Sequence, residues 1–273
     1  MEPRGAAVVT GAGRGIGRAV AIELARRGFD VVATMRNPAD GADLPSEAGA
    51  GANLRVDRLD VNDPATMNMP AGLRVLVNNA GVESDNLPLE VMPADAWRAI
   101  FETNVFGLVE TTKHAIPLIR DAGGGVICNV TSSSLLAPVP FLGAYRSSKA
   151  AVSAIGESLA AEVAQFGIRV LEIMPGPIET DMLLASDKPA AAIEHERYRS
   201  QAEHLWEGRQ GIRAMYTPTA EAARRIADAI LDDDAPLRVG CDDLSVGMLT
   251  GWRNAGSDEA WMRPLLASFT DPA

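Results

Sequence analysis

The alternation of two hydrophobic periodicities leaves this chain few folds to choose from. Short runs of β-branched and other apolar residues ("AAVVTG", "DVVATM", "LRVLVNNAG", "GGGVICNVTS", "IRVLEIMPG") are separated by longer stretches with helical spacing. One helical stripe passes through Ile16, Val20 and Leu24 and stops at Gly28; another repeats Val152, Ile155, Leu159 and Val163. Helices are also expected over about 93–120 and 220–231, with a last short strand at "PLRVG". Strands alternating with helices imply parallel pairing. Strands that are apolar at every position suit a sheet covered on both sides. The expected fold is α/β, a parallel sheet with helices on both faces. No linker, repeat or low-complexity run divides residues 1–273, so a single domain is expected.

Composition narrows the function classes. A net charge of −11 argues against nucleic acid, which demands a basic surface, and against anionic membranes. Cys128 sits in an apolar run, where a thiol acts as a small hydrophobe, and the only other cysteine is Cys241. A disulfide framework is not expected, and a reducing compartment fits. The sequence shows no signal-peptide pattern and no apolar run of about 18 residues, so a soluble cytoplasmic protein is expected.

Two fragments carry chemistry. "TGAGRGIG" lies where the first strand meets the first helix, and Gly11, Gly15 and Gly17 permit a tight turn that a pyrophosphate can approach. "GAYRSSKAAV" places Tyr145 and Lys149 four apart, on one face of a helix. That pair is either a solvated face or a phenol whose acidity an ammonium tunes. The three histidines (114, 195, 204) lie in helical, charged surroundings, and "TSSSL" is not a nucleophile elbow. They and the cysteines form no metal-ligand spacing, so no metal is expected.

The glycine spacing is T-G-x-x-x-G-x-G, and with "NNAG" (78–81), Asn104 in "TNVFG", Ser132 in "NVTS", "YRSSK" and "PGPIET" it resembles the short-chain dehydrogenase/reductase family over almost the whole chain. The resemblance implies a Rossmann-type, doubly wound sheet and a catalytic set of Asn104, Ser132, Tyr145 and Lys149. Tyr145 would exchange the proton, Ser132 would hold the substrate oxygen, and Lys149 would hold the nicotinamide ribose. Asn104 would position a water linking Lys149 to solvent, or else brace a helix. Cofactor contacts are implied for Gly11, Arg14, Gly15, Ile16, Gly17, Asp60, Val61, Asn79, Ala80, Gly81, Pro175, Gly176, Ile178 and Thr180. Asp60 and Val61 would lie beside the adenine, although Asp60 also reads as a residue ending a strand. Ile178 and Thr180 would hold the carboxamide, and Asn78 is expected to brace the neighbouring strand.

After the second strand, an acidic residue would read the 2′-hydroxyl of NAD, whereas an arginine accommodates the 2′-phosphate of NADP. Arg36 follows "VVATM", and Arg14 lies inside the turn, so NADP(H) is expected, with NAD(H) as the alternative. Bringing a tyrosine pKa from about 10 to near 7 requires about 4 kcal/mol. A cation near 4 Å supplies about that at an effective dielectric of 20, so Lys149 is expected to lower the Tyr145 pKa.

In the family, a segment like 181–216 covers the substrate as a lid. Met182, Leu183, Leu184, Leu135, Pro138 and Phe141 either face the pocket or simply pack beneath a loop. An apolar wall would suit a hydrophobic ketone or secondary alcohol. The resemblance also implies a homodimer or homotetramer through the helices around Asn104 and Tyr145, with the 240–273 tail completing or blocking an interface. Other reactions on this fold, epimerisation or dehydration, and a non-catalytic NADP-binding sensor or scaffold are the competing readings. One departure stands out: "NDPATMNMPAG" is short and holds two prolines, so the family's helix there must be cut down.

Overall fold

The computed structural model describes residues 1–83, 85–180, 183 and 189–270. Among the described residues, strands β1 (Ala6–Thr10), β2 (Asp30–Met35), β3 (Leu54–Arg58), β4 (Leu73–Asn78), β5 (Gly125–Val130), β6 (Ile168–Met174) and β7 (Arg238–Gly240) form one sheet. Their order is 3-2-1-4-5-6-7, and every pairing is parallel. The helices described are α1 (Gly15–Arg27), α2 (Leu44–Ala48), α3 (Ala94–Phe101), α4 (Leu108–Asp121), α5 (Gly143–Val163), α6 (Arg199–Gly211), α7 (Thr219–Leu231), α8 (Asp243–Asn254) and α9 (Asp258–Phe269).

Successive strand residues face opposite sides of the sheet, and both sides are dry. Val9, Val31, Val77 and Ile173 pack against Val20 and Leu24 of α1 and Ile226 and Ile230 of α7. Val8, Val32, Leu76 and Ile127 pack against Ala115 and Ile119 of α4 and Leu159 and Val163 of α5. This two-sided burial explains the unalternated apolar runs of the sequence. Burying one such side chain contributes about 1.5–3 kcal/mol. The strand order reverses between β1 and β4, opening a crevice at their carboxyl ends where ligands of such sheets bind.

Four segments refine the sequence expectations. The helix over 93–120 is interrupted by a π turn, Glu102–Gly107, between α3 and α4. The loop-like 38–53 stretch carries a 3-10 turn and α2, whose Leu44 is fully buried. The proline-bearing segment after β3 is reduced to a single 3-10 turn, Pro64–Thr66. The tail contains two helices: Asp242 caps α8 in a reciprocal capping box with Ser245, and Ser257 caps α9. Cys128 and Cys241 are buried free thiols, and burial pushes Cys128 up to about 12. Among the described residues, no helix is long and apolar enough to cross a membrane.

Candidate active site

The glycine turn adopts the geometry its composition allows. Gly11 (φ 65°) and Gly15 (φ 56°) occupy left-handed backbone, which other residues adopt at a cost. At Gly17 a Cβ would lie 2.3 Å from Asn79 Nδ2 and 2.6 Å from the Gly11 carbonyl oxygen, so only glycine fits. The α1 N-terminus has no side-chain cap and no acidic residue in its first turn. Its leading N–H groups, those of Gly15, Ile16 and Gly17, therefore meet no capping side chain and carry the positive end of the helix dipole.

Asn79 supports this turn. Its Nδ2 donates to the carbonyls of Thr10 (2.9 Å) and Gly11 (3.2 Å), while the Thr10 hydroxyl accepts from the N–H groups of Asn79 and Ala80, both at 3.0 Å. Thr10 thus locks the end of β1 to the end of β4, a role sequence reading missed although the residue opens the glycine motif. Asn78 braces as expected, donating to Thr112 (2.9 Å) and Asn129 (3.0 Å). Asp60 uses one carboxylate oxygen on the Asn62 N–H at 3.0 Å, and Val61 is buried against Gly107.

Arg14 and Arg36 are both exposed, and neither side chain makes a hydrogen bond or ion pair among the described residues. The turn and the end of β2 are in contact, because a Cβ on Gly13 would lie 3.4 Å from Met35 Sδ, next to Arg36 in sequence. On the far side, Pro175 is buried and Asp242 accepts the Gly176 N–H at 2.6 Å. Asp242 is 0% exposed, so a tail residue pins this loop, a link the sequence reading did not contain although the D-x-x-S capping pattern was visible. Ile178 is buried in the core with its N–H on the Gly176 carbonyl (3.0 Å), while Thr180 Cγ2 would lie 3.3 Å from a Cβ at Gly15.

The four residues of the expected catalytic set lie on three elements. Asn104 sits in the π turn, a deformation frequent at functional sites. It is 1% exposed and its amide is fully engaged: Oδ1 accepts from the Val82 N–H (2.8 Å), and Nδ2 donates to the Val82 carbonyl (2.9 Å) and Ser148 Oγ (3.0 Å). A Cβ on Gly81 would lie 3.3 Å from Asn104 Oδ1 and 3.5 Å from Lys149 Nζ, so glycine brings the "NNAG" loop against both. Ser132 caps the 3-10 turn Ser133–Leu136 by accepting the Ser134 N–H at 3.2 Å. Tyr145 and Lys149 share one face of α5; Lys149 Nζ donates to the Val130 carbonyl (2.8 Å) and lies 5.8 Å from the Tyr145 ring centroid.

The phenol's acidity departs from the sequence expectation. Burial, then the nearby charge of Glu83, pushes the Tyr145 pKa well above that of a free tyrosine, and an interaction with Ser132 only partly opposes this. Tyr145 is half-buried by surface area, but protein surrounds its phenol closely enough for desolvation to dominate. The Lys149 ammonium faces the ring and the Val130 carbonyl, and burial lowers its own pKa to about 8. Glu83 escaped the sequence reading. It is half-buried, and burial raises its pKa against the opposing pull of Arg209 and a hydrogen bond from Asn86.

The expected pocket residues divide. Phe141 has φ 65°, a strained conformation for a non-glycine residue, and meets Tyr198 edge-to-face at 6.1 Å. Leu135 instead packs with Leu136 and Trp252 at a cavity of about 520 Å³ behind α5, away from the Tyr145 face. Leu183 is partly buried, whereas Met182 and Leu184 lie outside the described residues.

Residues 5–190 match the family model described as short chain dehydrogenase. The chain is 39% identical over 186 residues to the uncharacterized oxidoreductase YusZ of Bacillus subtilis, covering 64% of this chain and 66%, just under two thirds, of that protein. It is 38% identical over 198 residues to the 3-oxoacyl acyl-carrier-protein reductase FabG of Salmonella typhimurium, covering 68% of this chain and 79% of FabG. A short-chain dehydrogenase structure from Streptomyces avermitilis superposes with a TM-score of 0.77 at 30% identity, covering 93% of this chain and 94% of that one.

Proposed function

This chain belongs to the short-chain dehydrogenase family, and on that premise we propose that it is an NADP(H)-dependent oxidoreductase. It interconverts a carbonyl and a secondary alcohol on a largely hydrophobic substrate. The observation that carries this reading is the convergence of Ser132, Tyr145 and Lys149 with an uncapped helix N-terminus at one crevice. The glycine turn, the α1 N–H groups and the two unpaired arginines fit a dinucleotide phosphate. Bound there, the nicotinamide supplies the hydride chemistry.

This chain's residues do the rest. Tyr145 gives its proton to the carbonyl oxygen in reduction, and its raised pKa keeps that proton in place across neutral pH. Ser132 donates to the same oxygen and sets its distance from the phenol. Lys149 binds ribose hydroxyls through its ammonium. Asn104 fixes Val82 and Ser148, and so holds the "NNAG" loop against α5. Residues 189–216, with α6, act as a lid that excludes water from the pocket. Two buried free thiols suit a cytoplasmic setting.

Monitoring nicotinamide absorbance with NADPH and a panel of ketones tests the activity; no oxidation with any ketone would overturn it. The same assay has a pH signature. Burial depresses the Lys149 pKa to about 8, so its charge is present below that pH and lost above it. The kcat/KM for NADPH reports the free enzyme, and should be flat up to about pH 8 and then fall. A profile flat through pH 10 would remove the ammonium from the binding role.

The chain also assembles as a homodimer or homotetramer through the helices around Asn104 and Tyr145. Phe106, on the π turn, is 57% exposed there. Sedimentation should give a dimer or tetramer, which Phe106→Glu weakens; a monomer for the parent protein would refute the assembly.

A further inference from the structure

The loop after "NNAG" brings a carboxylate that the reaction does not require close to the proton donor. We propose that Glu83 sets substrate specificity: it selects carbonyl compounds bearing a hydrogen-bond donor, a hydroxyl or an amine, a few atoms from the reacting carbon, and rejects those bearing a carboxylate there. This assignment rests on the oxidoreductase reading and concerns the same site.

The placement of Glu83 is fixed from two sides. Its neighbour Val82 is clamped through both backbone groups by the Asn104 side chain, at 2.8 and 2.9 Å. Asn104 is in turn bonded to Ser148 at 3.0 Å, adjacent to Lys149 on α5. Glu83 is therefore registered to the catalytic helix rather than carried on a loose loop, and its charge is felt at Tyr145.

The same loop meets the lid. The Ala192 N–H donates to the Asn86 carbonyl at 3.1 Å, and the Tyr198 hydroxyl donates to Glu90 Oε1 at 2.9 Å. Tyr198 also holds Phe141 of the serine loop in the edge-to-face contact. Loop, lid and serine loop thus join around one mouth, with Glu83 on the loop side.

Among the described residues, the Asn86 amide and the Arg209 guanidinium of α6 act on the carboxylate. An ionised carboxylate has about four acceptor sites, so these leave room for a substrate donor. A second carboxylate beside it would meet like charge in a partly desolvated space. An apolar group would neither gain nor repel, which sets the expected order as donor, then methyl, then carboxylate.

The test uses ketones that differ only in one substituent near the carbonyl: hydroxyl, amine, methyl or carboxylate. Their kcat/KM values with NADPH are measured for the parent and for Glu83→Gln. The dissociation constants of the matching secondary alcohols are measured on the NADPH-loaded enzyme, where they cannot react. The parent should favour hydroxyl or amine over carboxylate by on the order of 10-fold or more, and Glu83→Gln should reduce that ratio to within about threefold. An unchanged ratio in Glu83→Gln, with ketones still reduced, overturns the specificity assignment and leaves the oxidoreductase reading intact. If no ketone is reduced but the alcohol-binding order still depends on residue 83, the oxidoreductase reading falls and only the ligand preference set by Glu83 survives. A Glu83→Gln enzyme that binds neither NADPH nor any alcohol would make the residue structural and also overturn the assignment.

Discussion

Tyr145→Phe should lower kcat for carbonyl reduction by on the order of 10³-fold or more, while the NADPH dissociation constant stays within about threefold of the parent value. General acid catalysis by a positioned side chain contributes about 10²–10⁴-fold, and Tyr145 is the group assigned that transfer while Ser132 only holds the oxygen. The substitution removes one oxygen and little else. The hydrogen bond that Tyr145 accepts from Ser148 Oγ, at 2.7 Å, goes to its backbone carbonyl and survives. Lys149 can still face the ring, and its bond to Val130 is untouched. A loss confined to kcat is therefore expected, measured by steady-state reduction and by quenching of NADPH fluorescence. Turnover above a tenth of the parent would sink the acid role. Weakened NADPH binding would instead make the phenol a packing element.

The raised Tyr145 pKa adds a direction to this prediction. A phenol that holds its proton through neutral pH is poised to donate, which favours reduction. Oxidation of the alcohol requires the phenolate, so its rate should climb with pH over the range where the reductive rate is flat. Glu83 contributes to that asymmetry by disfavouring the phenolate, so neutralising it should move the oxidative limb to lower pH.

The residues that were legible in the sequence are those whose relations are one-dimensional. Tyr145 and Lys149 share a face because four residues make about one helical turn. The sheet was legible because two-sided burial removes the polar positions from its strands. The π turn at Asn104 was not, since one wider turn hardly disturbs an apolar stripe that continues on both sides. The direction of the Tyr145 shift was also hidden. It depends on how densely protein packs around one hydroxyl and on Glu83, which the "NNAG" loop delivers from a distant part of the chain. The tail shows a different failure, because its signals were present: Asp242 with Ser245 spells a capping box, and Ser257 precedes Asp258 and Glu259. Reading 240–273 as an undivided tail concealed both helices and the contact from Asp242 to Gly176.

Arg36→Asp should invert the cofactor preference, lowering kcat/KM for NADPH on the order of 100-fold and leaving that for NADH unchanged or improved. A hydrogen bond to a charged group contributes about 1.5–3 kcal/mol, or about 10- to 150-fold, and the substitution adds repulsion to the lost attraction. Arg36 is exposed at the end of β2 with no partner among the described residues, so its removal exposes no internal charge. Asp40 lies in the same loop, where its carboxylate accepts from Asn37 Nδ2 at 3.1 Å. Replacing Arg36 by Asp exchanges a positive charge for a negative one, so the end of β2 becomes more negative where the 2′-phosphate would sit. Arg14→Ala should give a smaller loss, because it only removes attraction. Salt supplies the internal control: an attraction between exposed charges is screened over a Debye length of about 10 Å at 0.1 M. The parent's preference for NADPH should therefore shrink as ionic strength rises, whereas the NADH rate should barely move. Equal turnover of the parent enzyme with NADH, or a preference indifferent to both Arg36→Asp and salt, would take the 2′-phosphate away from these two arginines.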